Sequence, residues 1–219
     1  MGKTTVWGFR WAPEFAQGLV RDLRVRWALE EAGRAYEVRL ISFEDRASAT
    51  YRERQPFGMV PAYEADGHRL FESGAIVHRI AIDSTALMPA DANARAEVLT
   101  WMFAALNTVE PSMQNVLETD FLFAGEAWVA ARRPGVIEVV NARLEALAAR
   151  LEGRDYLLER FSAADILMTT ALRFIRHTDL VAAFPPVAAY VKRCEARPAF
   201  RKALGAQMAE YAEHAPLAA

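Results

Sequence analysis

Cysteine occurs once in the 219 residues, at Cys194, so no disulfide can form within the chain, and there is no Asn-x-Ser/Thr acceptor for a sugar. Both absences set the expectation of a reducing, cytoplasmic location. A surplus of positive charge is missing as well: 26 Lys and Arg face 28 Asp and Glu, a net of -2, which argues against a nucleic-acid partner. No uncharged run exceeds twelve residues, and one of the two of that length, 180–191, contains Pro185 and Pro186. A membrane span needs roughly 20 apolar residues, so no membrane association is expected. Residues 1–10 carry no apolar run behind a basic stretch, and a secretory leader is not expected either. The chain has no Gly-rich phosphate or dinucleotide loop, no His-Glu-x-x-His, no Gly-x-Ser-x-Gly and no Cys-x-x-Cys. Its four histidines, His68, His78, His177 and His214, are scattered, and no metal site is expected.

What is present belongs to a folding chain: 53% apolar and 25% charged residues with a mean hydropathy of +0.01. Thr4 to Phe9 reads as a strand, followed by a loop to about Gly18. Leu19, Val20, Leu23, Trp27 and Leu29 recur at helical spacing up to Glu31, with Gly33 as a stop. Tyr36 to Ile41 alternates like a second strand, and Ser42 to Arg54 reads as a short exposed helix ended by Pro56. Ala62 to Ala65 and His68 to Phe71 flank Asp66-Gly67, the strongest short hairpin signal, and a helix starts at Ser73. Residues 1–82 thus read βαβαββα, a parallel pair followed by a hairpin and a closing helix. Residues 83–91 read as a linker, and 92–219 as an all-helical domain. In that domain a long pattern from Asn93 to Phe123 is interrupted at Pro111, which should kink it or start a new turn, and Pro134 introduces a helix carrying Val136, Val140, Leu144, Leu147 and Leu151. Ser162 and Asp165 form a capping box for a helix apolar on most sides, and Pro185 and Pro198 open two more.

The informative stretch runs from Gln55 to Ile76. It holds Gln55-Pro56-Phe57-Gly58-Met59-Val60-Pro61, the Asp66-Gly67 hairpin, and Glu72-Ser73-Gly74-Ala75-Ile76. With Arg24-Val25-Arg26-Trp27-Ala28-Leu29-Glu30-Glu31-Ala32-Gly33, Phe161-Ser162-Ala163-Ala164-Asp165-Ile166 and Arg197-Pro198-Ala199-Phe200, it resembles the glutathione S-transferase family. The chain departs from the family pattern with Gln55 for Asn and His78 for a usual Tyr. The resemblance implies a thioredoxin-like N-terminal domain, a C-terminal helical bundle and a homodimer. It implies that Pro61 is cis and that Val60 holds the cysteinyl backbone of glutathione by antiparallel pairing. Glu72 and Ser73 lie where a strand hands over to a helix, whose first amides form a positive pole suited to a carboxylate. By resemblance, Ser73 and that pole take the α-carboxylate of the γ-glutamyl residue, and Glu72 its ammonium. For the glycine carboxylate the candidates are Arg46, Arg52 and Arg54. Ser162 and Asp165 are assigned to structure, and Cys194 to an inert thiol.

One family part is missing. Members of the family activate the glutathione thiol with a Tyr, Ser or Cys near the end of strand 1 or the start of helix 1, yet between Thr5 and Tyr36 this chain has no Ser, Thr, Tyr or Cys. Counting back from Arg24-Val25-Arg26, the hydroxyl or thiol positions fall on Leu19-Val20-Arg21. Three explanations stay open. The helix pole with a guanidinium, Arg21 or Arg10, lowers the thiol pKa; Gln17 donates a neutral hydrogen bond; or glutathione binds without activation. Arg21, at the motif register, is the catalytic candidate. Trp11, Phe15, Trp101, Met102 and Phe103 are the candidates for an apolar acceptor site. The implied activity is conjugation of glutathione to a small hydrophobic electrophile, in the manner of a detoxifying enzyme. Glutathione is then the co-substrate, and no metal or further cofactor takes part. The alternatives are a non-catalytic protein that binds glutathione or a hydrophobic ligand, and a glutathione-dependent isomerase or peroxidase.

Overall fold

The computed structural model describes residues 3–216. The chain divides into two compact units: one runs to Leu87 and takes in the chain from Pro198 onward, and the other is Met88–Arg197. The family-like partition expected from the sequence puts everything after residue 91 in the helical domain. By compactness the last helix groups with the sheet instead.

In the first unit, β1 (Thr5–Phe9) pairs in parallel with β2 (Glu37–Ile41) and antiparallel with β3 (Ala62–Ala65), and β4 (His68–Phe71) closes the hairpin, giving the order β2-β1-β3-β4. The hairpin turn follows from its residues. Asp66 and Gly67 both take positive φ, 51° and 78°, which the Asp-Gly pair tolerates. Between the parallel strands lies α1 (Asp22–Glu31), and after the hairpin α3 (Ser73–Ala81), with the one-turn α2 (Ala49–Arg52) after β2. Leu19 and Val20 precede α1 rather than belonging to it, because the Leu19 amide closes a short turn on Ala16 O. Trp7, Phe9, Ile41, Tyr51, Val60 and Ala62 form one buried cluster of the unit.

The last helix of the chain, α9 (Pro198–Glu213), packs along α1. Its buried stripe is Phe200, Ala203, Gln207 and Tyr211, a face too small and too polar for periodicity to name its partner. Trp27 and Phe200 meet edge to face at 4.8 Å, and Lys202 pairs with Glu30 at 2.7 Å. Deeper in, Arg26 donates to Asp22 Oδ2 at 2.7 Å and to both carboxylate oxygens of Glu210 at 3.0 and 2.6 Å. Gln207 donates to Asp22 Oδ1 at 2.9 Å. Burial pushes the Asp22 carboxyl up, against the pull of Arg26 and Gln207. This cluster leaves no room on the facing strand, since a Cβ on Gly8 would lie 2.8 Å from Asp22 Oδ2 and 3.2 Å from Arg26 Nη2. Asp22 cannot withdraw without losing its bonds. Gly8→Ala is therefore expected to destabilise by about 1–3 kcal/mol, as overpacking does. At roughly 2–4 °C per kcal/mol for a chain of this size, the melting temperature should fall by several degrees, and an unchanged melting curve would show that the strand has slack there.

The second unit is helical: α4 (Ala92–Phe103), α5 (Glu110–Leu117), α6 (Val129–Leu151), α7 (Ala163–Leu172) and α8 (Pro185–Glu195). The first pattern is divided near Pro111, which opens a new helix. A wide π-type turn, Ala104–Val109, carries the chain from α4 into α5, where Pro111 sits in the first turn and its missing N–H is not needed. Pro134 lies inside α6, which begins five residues earlier than the proline signal suggested. All ten residues of α7 are buried, as its all-round apolar pattern required. Its start is the expected capping box. Ser162 Oγ accepts from Ala164 N at 3.3 Å, and Asp165 Oδ2 accepts from Ser162 N at 2.8 Å. Asp165 Oδ1 also accepts from Leu157 N and from Tyr190 OH, each at 3.0 Å. Cys194 is buried, and burial pushes its thiol up to about 12.

Candidate functional site

Three pieces of the first unit build the site. The first is the turn before β3, in which the Val60–Pro61 peptide bond is cis. Its surroundings are set by residues well upstream. Tyr51, buried, donates its hydroxyl to Met59 O at 2.6 Å, and burial pushes that phenol up. Gln55, which stands where an Asn is usual, is also buried; its Oε1 accepts from Phe57 N at 2.7 Å and its carbonyl from Gly58 N at 3.0 Å. Gly58 has φ of 63°, and a Cβ there would lie 2.9 Å from Arg46 O, so this corner requires glycine. Val60 then drops its side chain into the cluster with Trp7 and Phe9, and β3 begins two residues later.

The second piece is the handover from β4 to α3. Glu72 occupies the position ahead of α3 with φ 68° and ψ 113°, a left-handed conformation that costs a non-glycine residue about 1–3 kcal/mol. That twist leaves Glu72 exposed while Ser73 beside it is buried. No side-chain cap from Glu72 covers the start of α3, so the pole of this helix keeps its donors for something else.

The third piece joins α1 to α3. Arg24, in the first turn of α1 and 1% exposed, donates from Nη1 to Ser73 Oγ at 3.1 Å. Because the Ser73 oxygen accepts from Arg24, its own hydrogen can be given to a second acceptor. A buried guanidinium, a hydroxyl and a helix N-terminus in one place make a receptor for a carboxylate. Sequence reasoning quoted Arg24 within a motif and gave it no role. The available signal was its place two residues before Arg26 in a stretch, Leu23 to Leu29, whose other positions are apolar.

Comparison with known proteins decides the family. Residues 15–81 match the model of the glutathione S-transferase N-terminal domain, and residues 78–198 that of the glutathione S-transferase C-terminal domain. This chain belongs to the glutathione S-transferase family. It is 31% identical over 191 residues to a maleylacetoacetate isomerase of Rhizobium meliloti, covering 82% of this chain and 89% of that one. Among solved structures, a glutathione transferase of Pseudomonas putida with glutathione disulfide bound superposes with a TM-score of 0.81 at 25% identity, covering 93% of this chain and 91% of that one. One from Burkholderia graminis with two glutathione molecules per subunit gives 0.80 at 26% identity over 93% and 88%.

Against that family pattern the remaining candidates sort by what they touch. Arg52 is turned onto Pro56 O at 2.9 Å, and Arg54 onto Thr50 O at 2.9 Å, with its guanidinium 5.4 Å above the Trp7 ring. Arg46 is exposed and lies 5.5 Å over the Phe43 ring. Of the three proposed activators, Arg10 faces Asp45 at 3.7 Å, Gln17 gives an amide hydrogen to Ala12 O at 2.9 Å, and Arg21 occupies the cap position of α1. Trp11 and Phe15 are half-buried in the loop after β1. Trp101 and Phe103 belong to the helical unit; Arg150 covers the Trp101 ring at 5.3 Å, and Phe103 is exposed. Among the described residues no group of His, Cys, Asp or Glu is arranged to hold a metal ion, and no helix is long and apolar enough to cross a membrane.

Proposed function

We propose that this protein is a glutathione transferase that joins the thiolate of glutathione to a small hydrophobic electrophile. The observation that carries the reading is the receptor at the start of α3: buried Ser73, held by Arg24, beside an exposed Glu72 in a strained conformation. It matches the zwitterionic head of a γ-glutamyl group, carboxylate to Ser73 and the helix pole, ammonium to Glu72. Val60 presents its main chain to the cysteinyl residue, with Pro61 in the same turn, and we assign the glycine carboxylate to Arg46, since Arg52 and Arg54 are turned onto backbone carbonyls. The thiolate lies at the start of α1, where the helix pole and Arg21 stabilise it. Its sulfur attacks the electrophilic carbon and forms the C–S bond, the leaving group departs with its electron pair, and the thiol proton has gone to solvent. Trp11 and Phe15 supply apolar surface for that substrate. The relatives solved with glutathione species bound support the assignment of the first substrate.

A second reading is favoured by the maleylacetoacetate isomerase relative. There the same thiolate adds to a conjugated cis double bond, the adduct rotates, and the thiolate leaves again, so glutathione is regenerated. Titration calorimetry with reduced glutathione, followed by parallel assays with an aryl halide and a conjugated cis-alkene acid, separates the possibilities. Binding with loss of free thiol on the halide is expected. Isomerisation without thiol loss selects the second reading, and the absence of any heat at millimolar glutathione removes both.

A further inference from the structure

We infer that the last helix of the chain is a positioning element for the thiolate end of the site, with Gln207 as its working residue. The inference rests on the glutathione reading above. The side chain of Gln207 reaches across from α9 to the entry of α1, where its Nε2 donates to Val20 O at 3.3 Å and to Asp22 Oδ1 at 2.9 Å. Val20 and Asp22 flank Arg21, the residue at the family's activator register. Val20 O also accepts from Leu23 N at 3.1 Å, so the two bonds from Gln207 pin the first turn of α1 at its carbonyl and at its acidic side chain.

Two features separate this arrangement from ordinary packing. First, Gln207 is fully buried and its Oε1 has no hydrogen-bond partner among the described residues. A buried amide half unsatisfied is a poor choice for stability alone, and an apolar residue of the same length fills that space without the unpaired carbonyl. What only an amide of this length supplies is the pair of N–H bonds. Second, the group it holds is an acid in the first turn of the helix expected to stabilise a thiolate. A carboxylate free to turn toward that pole competes with the thiolate for the same amides and repels it. Gln207 and Arg26 draw Asp22 under Gly8 instead, where Asp22 Oδ2 meets Arg26 Nε at 2.7 Å. The Arg24–Ser73 bond places this same first turn next to the γ-glutamyl receptor, so the pole that Gln207 keeps clear is within the site.

The test compares the full-length wild type with Gln207→Met, which keeps length and removes both donors, and with Phe200→Leu, which loosens the α9–α1 contact farther along at Trp27. The readouts are the ultraviolet absorbance of the thiolate of bound glutathione against pH, the affinity for glutathione, and the melting temperature. In Gln207→Met the bound thiol pKa should rise by about one unit, a tenfold loss of thiolate well below the pKa, with glutathione affinity within about threefold of wild type. Phe200→Leu should lower the melting temperature and leave the thiol pKa alone. Adding Asp22→Asn to Gln207→Met should bring the thiol pKa back toward the wild-type value, since the competing charge is gone. If Gln207→Met does not fold, Gln207→Ser carries the same expectation. A thiol titration unchanged from wild type in either variant overturns the inference. A wild type that binds no glutathione overturns the underlying reading, and this shows before any variant is compared.

Discussion

Exchange of Ser73 for alanine is expected to weaken glutathione binding by roughly 10- to 100-fold, the equivalent of about 1.5–3 kcal/mol for a hydrogen bond to a charged group. The hydroxyl accepts from Arg24 Nη1 at 3.1 Å, and in the proposed complex it gives its hydrogen to the γ-glutamyl carboxylate. Alanine removes both, and leaves that arginine nitrogen without its Ser73 contact in a buried place. The melting temperature should fall by only a few degrees, because the helix keeps its Ile76 N to Glu72 O bond and its buried face of Ile76, Val77 and Ile80. Ser73→Thr, which retains the hydroxyl, should hold most of the affinity. Calorimetry decides: a dissociation constant for Ser73→Ala within twofold of wild type would mean that the receptor lies elsewhere.

The largest effect on stability is expected at Asp165, which touches no substrate. Its carboxylate is the hub of the helical unit, accepting from Leu157 N at 3.0 Å, Ser162 N at 2.8 Å, Ser162 Oγ at 3.2 Å and Tyr190 OH at 3.0 Å. Burial pushes the carboxyl up, and these four bonds oppose that push. Asp165→Ala strands two buried amides and a buried phenol at about 1–3 kcal/mol each, and it abolishes the capping box of α7. These terms are not additive, and a total near 3–5 kcal/mol is the magnitude seen when a buried polar network loses its centre. At about 2–4 °C per kcal/mol this amounts to roughly 10 °C or more in melting temperature. Tyr190→Phe, which removes the phenol's bond to Asp165 and strands nothing on the backbone, should cost about 1 kcal/mol. Thermal unfolding followed by circular dichroism measures both, and Asp165→Ala melting within 2–3 °C of wild type would deny the hub its role.

Legibility in the sequence followed the range of the interaction. The hairpin was readable because Asp66 and Gly67 accept the positive φ that a tight turn demands, and the start of α7 because Ser162 and Asp165 satisfy helix amides three residues away or less. The Val60-Pro61 turn and the Glu72-Ser73 handover were found through the family resemblance rather than through spacing. Less was visible where a local signal had a second solution. Pro134 suggested a helix start and instead lies within α6. The short turns that close before Asp22 likewise imitated helical spacing at Leu19 and Val20.

Tertiary structure alone decided which buried polar groups meet. Arg24 finds Ser73 across 49 residues, and Arg26 and Asp22 find Glu210 and Gln207 across 184 and 185. Periodicity marks the inward face of a helix without naming what lies opposite, and a charged residue on that face reads as a solvated exception. The partner is chosen by desolvation: once α9 excludes water from the first turn of α1, each donor must be matched by the acceptors within reach, whatever their distance along the chain. The sequence therefore determined turns, caps and the β3–β4 hairpin, which are settled within a few residues, and the fold determined the sheet order, the assembled receptor and the helix that steadies it.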